Sequence, residues 1–450
     1  MKKYLTLLFL ICAAGVATAQ VSEISLAQCE ADALQYSPKL KELQAQVSAA
    51  RAQYKGAKSS YYPSLYIDAQ GGWVSEVPKL NLGPLSYEFG DNWSYMAGPT
   101  LEYLLFDYGG RSGASEGAKA MLQAAQNEYD FGQKSVKLDV RQAYFTVQQD
   151  LEKMYFLSEQ LKVAQKQLED VNSALKAGAK SRLDMTMAQK QELRSQVNIA
   201  NARGALGIHL RQLFMLTGKD YGINPLYPAD WRIEISKQDK APSAKIKADS
   251  LEDTLKALQN NADFAFDENS SKLAAAENMA LYYEKVAQSL KSSLYPVVKL
   301  SGGAYWEYPN GPIKEHVFLG KAGASLRMPL FEGSKTKSQS AAQQSQADAA
   351  RHQKTELEDN LKNMFYSSKS LLYSLDLQTQ FVKQMIETSA ETARLTYDAY
   401  KAGSVTFLEV DNANLALLES RIALADVYVE SLNRLAVMEN LGASNNAGEN

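Results

Sequence analysis

Cysteine is nearly missing from this 450-residue chain, which holds only Cys12 and Cys29. If Cys12 leaves with a leader, no intramolecular disulfide is available, so stability must come from packing, length or oligomerisation. Histidine is also scarce: His209, His316 and His352 fall in segments that read as helix, strand and helix. That scatter lacks the spacing of a metal site, and no metal or cofactor is expected. No GxxxxGK[ST] phosphate loop occurs, so any energy source belongs to a partner. Gly109-Gly110 lacks the third glycine of a dinucleotide fingerprint and reads instead as a strand-to-helix turn. With no catalytic constellation left, the chain is not expected to be an enzyme. Long apolar runs are absent as well: past the first nineteen residues no 18-residue apolar stretch exists. A membrane crossing would therefore have to be made by strands.

The first nineteen residues, MKKYLTLLFLICAAGVATA, pair Lys2 and Lys3 with an apolar stretch from Leu5 to Val16 and an Ala17-Thr18-Ala19 end. This is the pattern of a secretory signal peptide over 1–19, too short for a membrane anchor. Ile11 before Cys12 stands where a lipoprotein signal needs a small residue, which argues against lipidation there. After cleavage, 46 basic residues face 51 acidic ones, a formal charge of −5 that disfavours nucleic acid as a partner.

What the chain does contain is a repeat. SPKLKELQAQVSAARAQYKGAKSSYYP, Ser37 to Pro63, lies over SSKLAAAENMALYYEKVAQSLKSSLYP, Ser270 to Pro296. LEYLLFDYGGRSG at 101–113 lies over LRMPLFEGSKTKS at 326–338, and KAGAKSRLD at 176–184 over KAGSVTFLE at 401–409. Three landmarks in one order indicate an internal duplication. The reading is repeat 1 over 20–217, with a helix, a β-hairpin at 64–106 and a long helical hairpin tipped near 176–184. A connector follows at 218–250, where Pro225, Pro228 and Pro242 interrupt mixed polar sequence. Repeat 2 covers 251–440, with a helix, a β-hairpin at 297–331 and a helical hairpin tipped near 401–409; a polar tail closes at 441–450.

Residues 22–61 read as one helix ending before Tyr62-Pro63, because a residue preceding Pro avoids the α region. From Gly110 to Ala177 no Pro intervenes, enough for a helix roughly 100 Å long. Val140, Val147, Met154, Leu161, Leu168 and Leu175 recur in sevens, flanked by Leu157, Ala164 and Val171. Leu408, Leu415, Ile422 and Val429 do the same, with Leu418, Ala425 and Leu432 alongside. Such heptads predict antiparallel coiled-coil packing across each KAG turn.

The strand segments alternate. Leu65, Ile67, Ala69 and Trp73 oppose Asp68 and Gln70; Tyr95, Ala97, Leu101, Tyr103 and Leu105 oppose Ser94, Thr100 and Glu102. Val298, Leu300, Ala304 and Trp306 oppose Lys299, Ser301, Tyr305 and Glu307; Phe318, Ala322, Ala324, Leu326 and Met328 oppose Lys321, Ser325 and Arg327. The pattern fits a half-buried soluble sheet or a barrel with lipid outside and water inside. Aromatics near the loop-proximal ends, among them Trp73, Trp93 and Trp306, favour the barrel. Four strands cannot close one, and an open edge in lipid is forbidden, so several subunits must contribute. Loops 75–92 and 308–315 would join the hairpins.

Two copies of helix, Tyr-Pro, strand pair, Leu-Phe-(Asp/Glu) element, long helix and KAG turn resemble the TolC family of outer-membrane efflux channels. The strongest carriers are Pro329-Leu330-Phe331-Glu332-Gly333 and KAGSVTFLEV at 401–410; the first copy departs, with Leu104 in place of Pro and an extra Tyr108 before Gly109-Gly110. The resemblance implies a mixed α/β membrane protein. In it, four strands per protomer complete a trimeric 12-stranded outer-membrane barrel in a Gram-negative bacterium, and long coiled-coil helices form a periplasmic tunnel. It further implies a passive exit duct for small toxic compounds, fed by a proton-driven or ABC inner-membrane transporter through a periplasmic adaptor. Type I protein secretion is the alternative, and a non-conducting envelope coiled coil the rival of another class. By position, the resemblance assigns the gate to Glu409, with Asp411 beside it and Asn412 where the family often has Asp. It assigns adaptor contact to the helix tips, Lys176, Ala177, Gly178 and Asp184 with Lys401, Ala402 and Gly403. A solvated first-turn acid stabilised by the helix dipole is the competing reading of Glu409 and Asp411; for Asp184 a cap or tip contact outranks a gate.

Overall fold

A computed structural model describes residues 22–221, 246–260 and 263–444. The expected leader, residues 222–245 of the connector and the last six residues of the tail lie outside them. In chain order the elements are β1 (Ser22–Ile24), α1 (Leu26–Tyr36), α2 (Pro38–Ser59), β2 (Ser64–Trp73), β3 (Lys79–Leu82), β4 (Leu85–Glu88) and β5 (Trp93–Phe106). Then come α3 (Gly110–Lys176), α4 (Arg182–Thr217), β6 (Ile246–Ala248), α5 (Leu251–Gln259), β7 (Phe264–Phe266) and α6 (Ser271–Ser292). The remainder is β8 (Val297–Tyr308), β9 (Val317–Arg327), α7 (Lys335–Lys401), α8 (Phe407–Leu441) and β10 (Gly442–Ser444). Among the described residues no helix is long and apolar enough to cross a membrane.

The chain divides into two compact units. One holds residues 39–132 and 268–361. Its sheet runs in the order β2-β5-β8-β9, every pair antiparallel. Helix α6 lies so close to α3 that a Cβ on Gly113 would come within 2.9 Å of the Ser289 backbone nitrogen. Ion pairs line this helical layer: Lys285 to Glu116 at 2.6 Å, Lys272 to Glu128 at 2.9 Å and Lys354 to Glu277 at 2.8 Å.

The other unit holds residues up to 38, 133–267 and 362–450. Strand β1 pairs in parallel with β6, and β10, at the start of the expected polar tail, pairs antiparallel with β7. Val140, Tyr144, Phe145 and Val147 of α3 are fully buried here, as are Leu213, Leu251 and Leu432. Arg141 forks between Glu30 at 2.6 Å and Glu439 at 2.5 Å, tying α1, α3 and α8 together. Tyr144 donates to the Ile24 carbonyl at 2.9 Å, which fixes the chain's first strand on that core.

The structure departs from the sequence pattern at three places. The single helix expected over 22–61 is a strand and two helices, broken at Ser37-Pro38 by the same pre-proline restriction applied at Tyr62-Pro63. The loop expected at 75–92 contains a hairpin, β3 with β4, paired from Lys79 opposite Glu88 to Leu82 opposite Leu85 and turning at Gly83, whose φ is 64°. In α8 the Leu408 line is the seam only in part: Leu408 is 50 % exposed and Leu415 and Ile422 are half-buried, Val429 is buried, and the flanking Leu418, Ala425 and Leu432 are buried together with Phe407 and Val410. Leu418, Ala425 and Leu432 repeat in sevens as the Leu408 line does, and only packing distinguishes the two.

Candidate channel wall and hairpin tips

The sheet register converts four separate alternations into two continuous faces. Ile67 pairs with Pro99, Leu101 with Gly302, Tyr103 with Leu300, and Gly302 in turn with Ala322. Because paired residues project to the same side, Leu65, Ile67, Leu101, Phe106, Leu300, Trp306, Phe318 and Leu326 share one face, with Phe106 brought onto it opposite Val298 by a register shift after Leu104. All are exposed, Ile67 at 85 % and Leu65 at 72 %. Asp68, Thr100, Glu102, Ser301, Tyr305, Glu307 and Lys321 share the other. There the Thr100 and Tyr305 hydroxyls hydrogen-bond at 2.8 Å, and Lys321 pairs with Glu307 at 2.6 Å.

The aromatics fall in neighbouring register positions at the loop end. Trp73 pairs with Trp93, Tyr95 with Tyr308, and Trp306 with Phe318. Tyr95 and Tyr308 stack with centroids 5.2 Å apart, and His316 sits beside both. Within the sheet β2 pairs only with β5, and β9 only with β8, so both outer strands have an unpaired edge among the described residues.

At the opposite end of these strands the chain turns into its long helices through two matched linkers. In the second, Glu332 is followed by Gly333 and Ser334 at φ 58° and 66°, and the Lys335 amide donates to the Glu332 carbonyl at 3.2 Å. In the first, Asp107 is followed by Tyr108 and Gly109 at φ 51° and 86°, and Gly110 donates to the Asp107 carbonyl at 3.1 Å. Tyr108 therefore is not an insertion: it occupies the position of Gly333, held in the left-handed region by stacking on Tyr295 at 3.9 Å. The acid caps the helix start in each linker, Asp107 accepting from the Arg111 amide and Glu332 from the Thr336 hydroxyl, both at 2.6 Å. Pro329 precedes the exposed pair Leu330 and Phe331.

The two helical hairpins turn in the same way. After Lys176, Gly178 has φ 73°; its amide reaches the Leu175 carbonyl at 3.0 Å, and that of Ala179 reaches Ala174 at 2.8 Å. After Lys401, Gly403 has φ 81°, with Gly403 to Tyr400 and Ser404 to Ala399 both at 3.0 Å. This double bond with a left-handed glycine is the Schellman closure of a helix end. Each following helix opens on a capping box. Ser181 and Asp184 exchange side-chain and backbone bonds, and so do Thr406 and Glu409, whose carboxylate accepts the Thr406 amide at 2.6 Å. The amide and hydroxyl of Thr406 hold the Glu409 carboxyl below its ordinary range. Burial opposes ionisation of Asp184, but its bonds from Ser181 outweigh it and lower that carboxyl as well.

Under the tips, Val171, Ala188, Tyr400, Phe407 and Val410 form one buried cluster, with Met185, Tyr397 and Val405 at its margin. Lys180 donates to the Tyr400 carbonyl at 2.6 Å and lies 3.8 Å from the centre of its ring. Burial and the neighbouring Asp184 carboxylate push the Tyr400 hydroxyl up to about 12. Tyr397 donates to Asp170 at 2.6 Å. These ties were not legible in the sequence; Tyr397 and Tyr400, spaced three apart just before the second KAG, are the only hint.

Lys176, Ala177, Gly178, Ala402, Gly403, Glu409 and Asn412 are exposed, and Asp184 and Asp411 half-buried. Lys401 pairs with Asp398 at 3.5 Å and lies over the Tyr397 ring, while Arg421 lies near Phe156. Glu409 and Asn412, three apart, share a helix face; Asp411 does not. Among the described residues no group of His, Cys, Asp and Glu is arranged to hold a metal.

The outer membrane efflux protein family profile matches residues 31–219 and 265–440, most of the chain. The chain belongs to the outer membrane efflux protein family. Among curated relatives, protein CyaE of Bordetella pertussis is 27 % identical over 319 residues, 70 % of this chain and 62 % of its own length. Nodulation protein T of Rhizobium leguminosarum is 22 % identical over 354 residues, 75 % of this chain and 69 % of its own. The match thus spans under two thirds of CyaE. Among solved structures, the outer membrane protein VceC of Vibrio cholerae superposes with a TM-score of 0.73 at 17 % identity, covering 93 % of this chain and 96 % of that one. The open-state MtrE outer membrane channel of Neisseria gonorrhoeae gives 0.70 at 18 %, covering 92 % and 88 %. The chain thus shares the mostly helical fold with a sheet portion of these outer-membrane channels. Membership of the outer membrane efflux protein family implies an outer-membrane location.

Proposed function

We propose that this efflux-family chain is one protomer of a homotrimeric exit duct. Three copies would join their four strands edge to edge into a 12-stranded barrel, apolar face to lipid and polar face to water. The single observation that carries this reading is the two-faced register of a sheet whose outer strands both have unpaired edges. The strands would cross the outer membrane and the long helices would enclose a periplasmic tunnel. A periplasmic adaptor would grip the tips at Lys176, Ala177, Gly178, Asp184, Lys401, Ala402 and Gly403, linking the duct to a proton-driven or ABC inner-membrane transporter. The cargo would be small toxic compounds.

Glu409, with Asn412 on its helix face and Asp411 about 200° round the helix from it, would mark the closed end and favour cations. Three ionised carboxylates near one axis repel one another, so the ring would resist tight closure unless bridged. Single-channel recording in planar bilayers tests both layers of the proposal. A cation-preferring conductance is expected, and Glu409→Ala with Asp411→Ala should enlarge it and reduce the preference. No conductance even in that variant would refute the duct; conductance unchanged by it would leave the duct and remove the gate. Deletion of the gene, followed by a drug, dye, metal and secretome screen, identifies cargo: loss of secreted polypeptides with drug tolerance intact would replace efflux with protein secretion.

A further inference from the structure

We infer that the linker between β9 and α7 is a membrane anchor, seating Leu330 and Phe331 at the headgroup boundary of the phospholipid layer on the side where the chain enters its long helices. The inference rests on the barrel reading and adds to it a specific boundary and a specific pair of residues. Leu330 is 92 % exposed and Phe331 91 %, more than any other large apolar side chain among the described residues. Neither belongs to the sheet or to a helix: they follow the end of β9 at Arg327 and precede α7 at Lys335. Two adjacent apolar residues held clear of every core in their own unit expose surface that water penalises.

Charge and continuity identify the occupant as lipid. Leu326, 69 % exposed on the apolar sheet face, and Met328, 48 % exposed, carry the apolar surface of β9 down to the linker. Arg327 lies before the pair, and the exposed Lys335 and Lys337 follow four and six residues after Phe331, beyond Glu332, whose carboxylate accepts the Thr336 hydroxyl. Apolar side chains with lysines at the start of the next helix match the boundary between acyl chains and phosphates, where long basic side chains reach the headgroups. The first linker makes a weaker version: its matched residues Leu105 and Phe106 are each 49 % exposed, and Gly110 and Ser112 stand where the lysines are. Its nearby Arg111 is bound to Asp107 at 3.4 Å and lies over the Tyr61 ring.

Site-directed spin labelling of the full exported chain in phosphatidylethanolamine–phosphatidylglycerol vesicles tests this. Buried Cys29 leaves an introduced thiol as the reactive one. Nitroxides are placed at Phe331→Cys and, independently, at Leu330→Cys, with Ile67→Cys on the apolar sheet face as reference. The expected result is that dissolved oxygen relaxes both linker labels more than a water-soluble nickel chelate does, with a collision ratio within about threefold of that at position 67. Dominant nickel collisions at 330 and 331 with an oxygen-dominated reference would overturn the anchor and leave the barrel standing. Linker labels that neither reagent reaches would also overturn it, placing the pair between copies. Nickel dominance at position 67 itself would bring down the barrel reading and the anchor with it.

Discussion

The two helical tips are built on one plan but carry different loads. Both close on a left-handed glycine with the same pair of backbone bonds, and both reopen on a capping box. Yet the position directly after the N-cap is exposed Arg182 in the first tip and fully buried Phe407 in the second. The second hairpin puts Tyr400, Phe407 and Val410 into the shared cluster, while the first contributes the smaller Val171 and Ala188, with Leu168, Met185 and Met187 at the margin. Identical backbone chemistry thus sets the turns, and side-chain burial makes the second tip the one that holds the pair together.

The largest difference should come from that asymmetry. Phe407→Ala removes a 1 % exposed aromatic ring and is expected to cost about 3–5 kcal/mol, whereas Arg182→Ala at the matched position should stay within about 0.5 kcal/mol. Thermal unfolding of the two purified variants makes the comparison; equal shifts would show that the cluster does not anchor the second tip. Next in size are the turns. No atom lies within 4 Å of a Cβ built on Gly178 or Gly403, so valine there meets only the backbone penalty of a positive φ. Each substitution should cost roughly 1–2 kcal/mol, and by the same amount at both tips. If only Gly403→Val loses stability or adaptor coupling, the turns are not equivalent after all.

A smaller effect separates the ties from the turns. Tyr397→Phe keeps the ring and removes the hydroxyl donated to Asp170, a loss of about 1 kcal/mol. Asp170→Asn should cost a similar amount, and the double variant no more than either alone. Additive losses in that cycle would mean that the two side chains act separately.

What could be read before folding follows from the range of each signal. Period-2 alternation in Leu65, Ile67 and Ala69, and in Phe318, Ala322 and Ala324, is written within ten residues, and pairing carried it intact into one face. The glycine turns and the acids six residues beyond were legible because caps are local chemistry. The Leu408 line holds as a seam only at Val429, because sevenfold repetition cannot say which of two parallel stripes faces the neighbour. The β3–β4 hairpin was hidden by Gly83-Pro84 and by short strands that look like loop. The bonds from Lys180 to Tyr400 and from Tyr397 to Asp170 join residues 220 and 227 apart, a distance at which a single sequence carries no pairing signal.

The smallest effect on stability, and the sharpest test of what the acids are for, comes from neutralising each cap. Glutamine at the third helical position keeps the reciprocal bonds of a capping box, so Glu409→Gln removes charge while the turn survives. At neutral pH its unfolding should shift little. The wild-type Glu409 and Asp184 carboxyls are both depressed by folding, so each contributes stability that is present above its unfolded pKa and lost as pH falls through its folded value. Glu409→Gln should therefore flatten part of the acid limb of the stability profile, and Asp184→Asn another part. The two variants should differ in conduction instead: a change in cation preference for Glu409→Gln alone assigns that charge to the gate. No change in either variant makes both acids helix caps and nothing more.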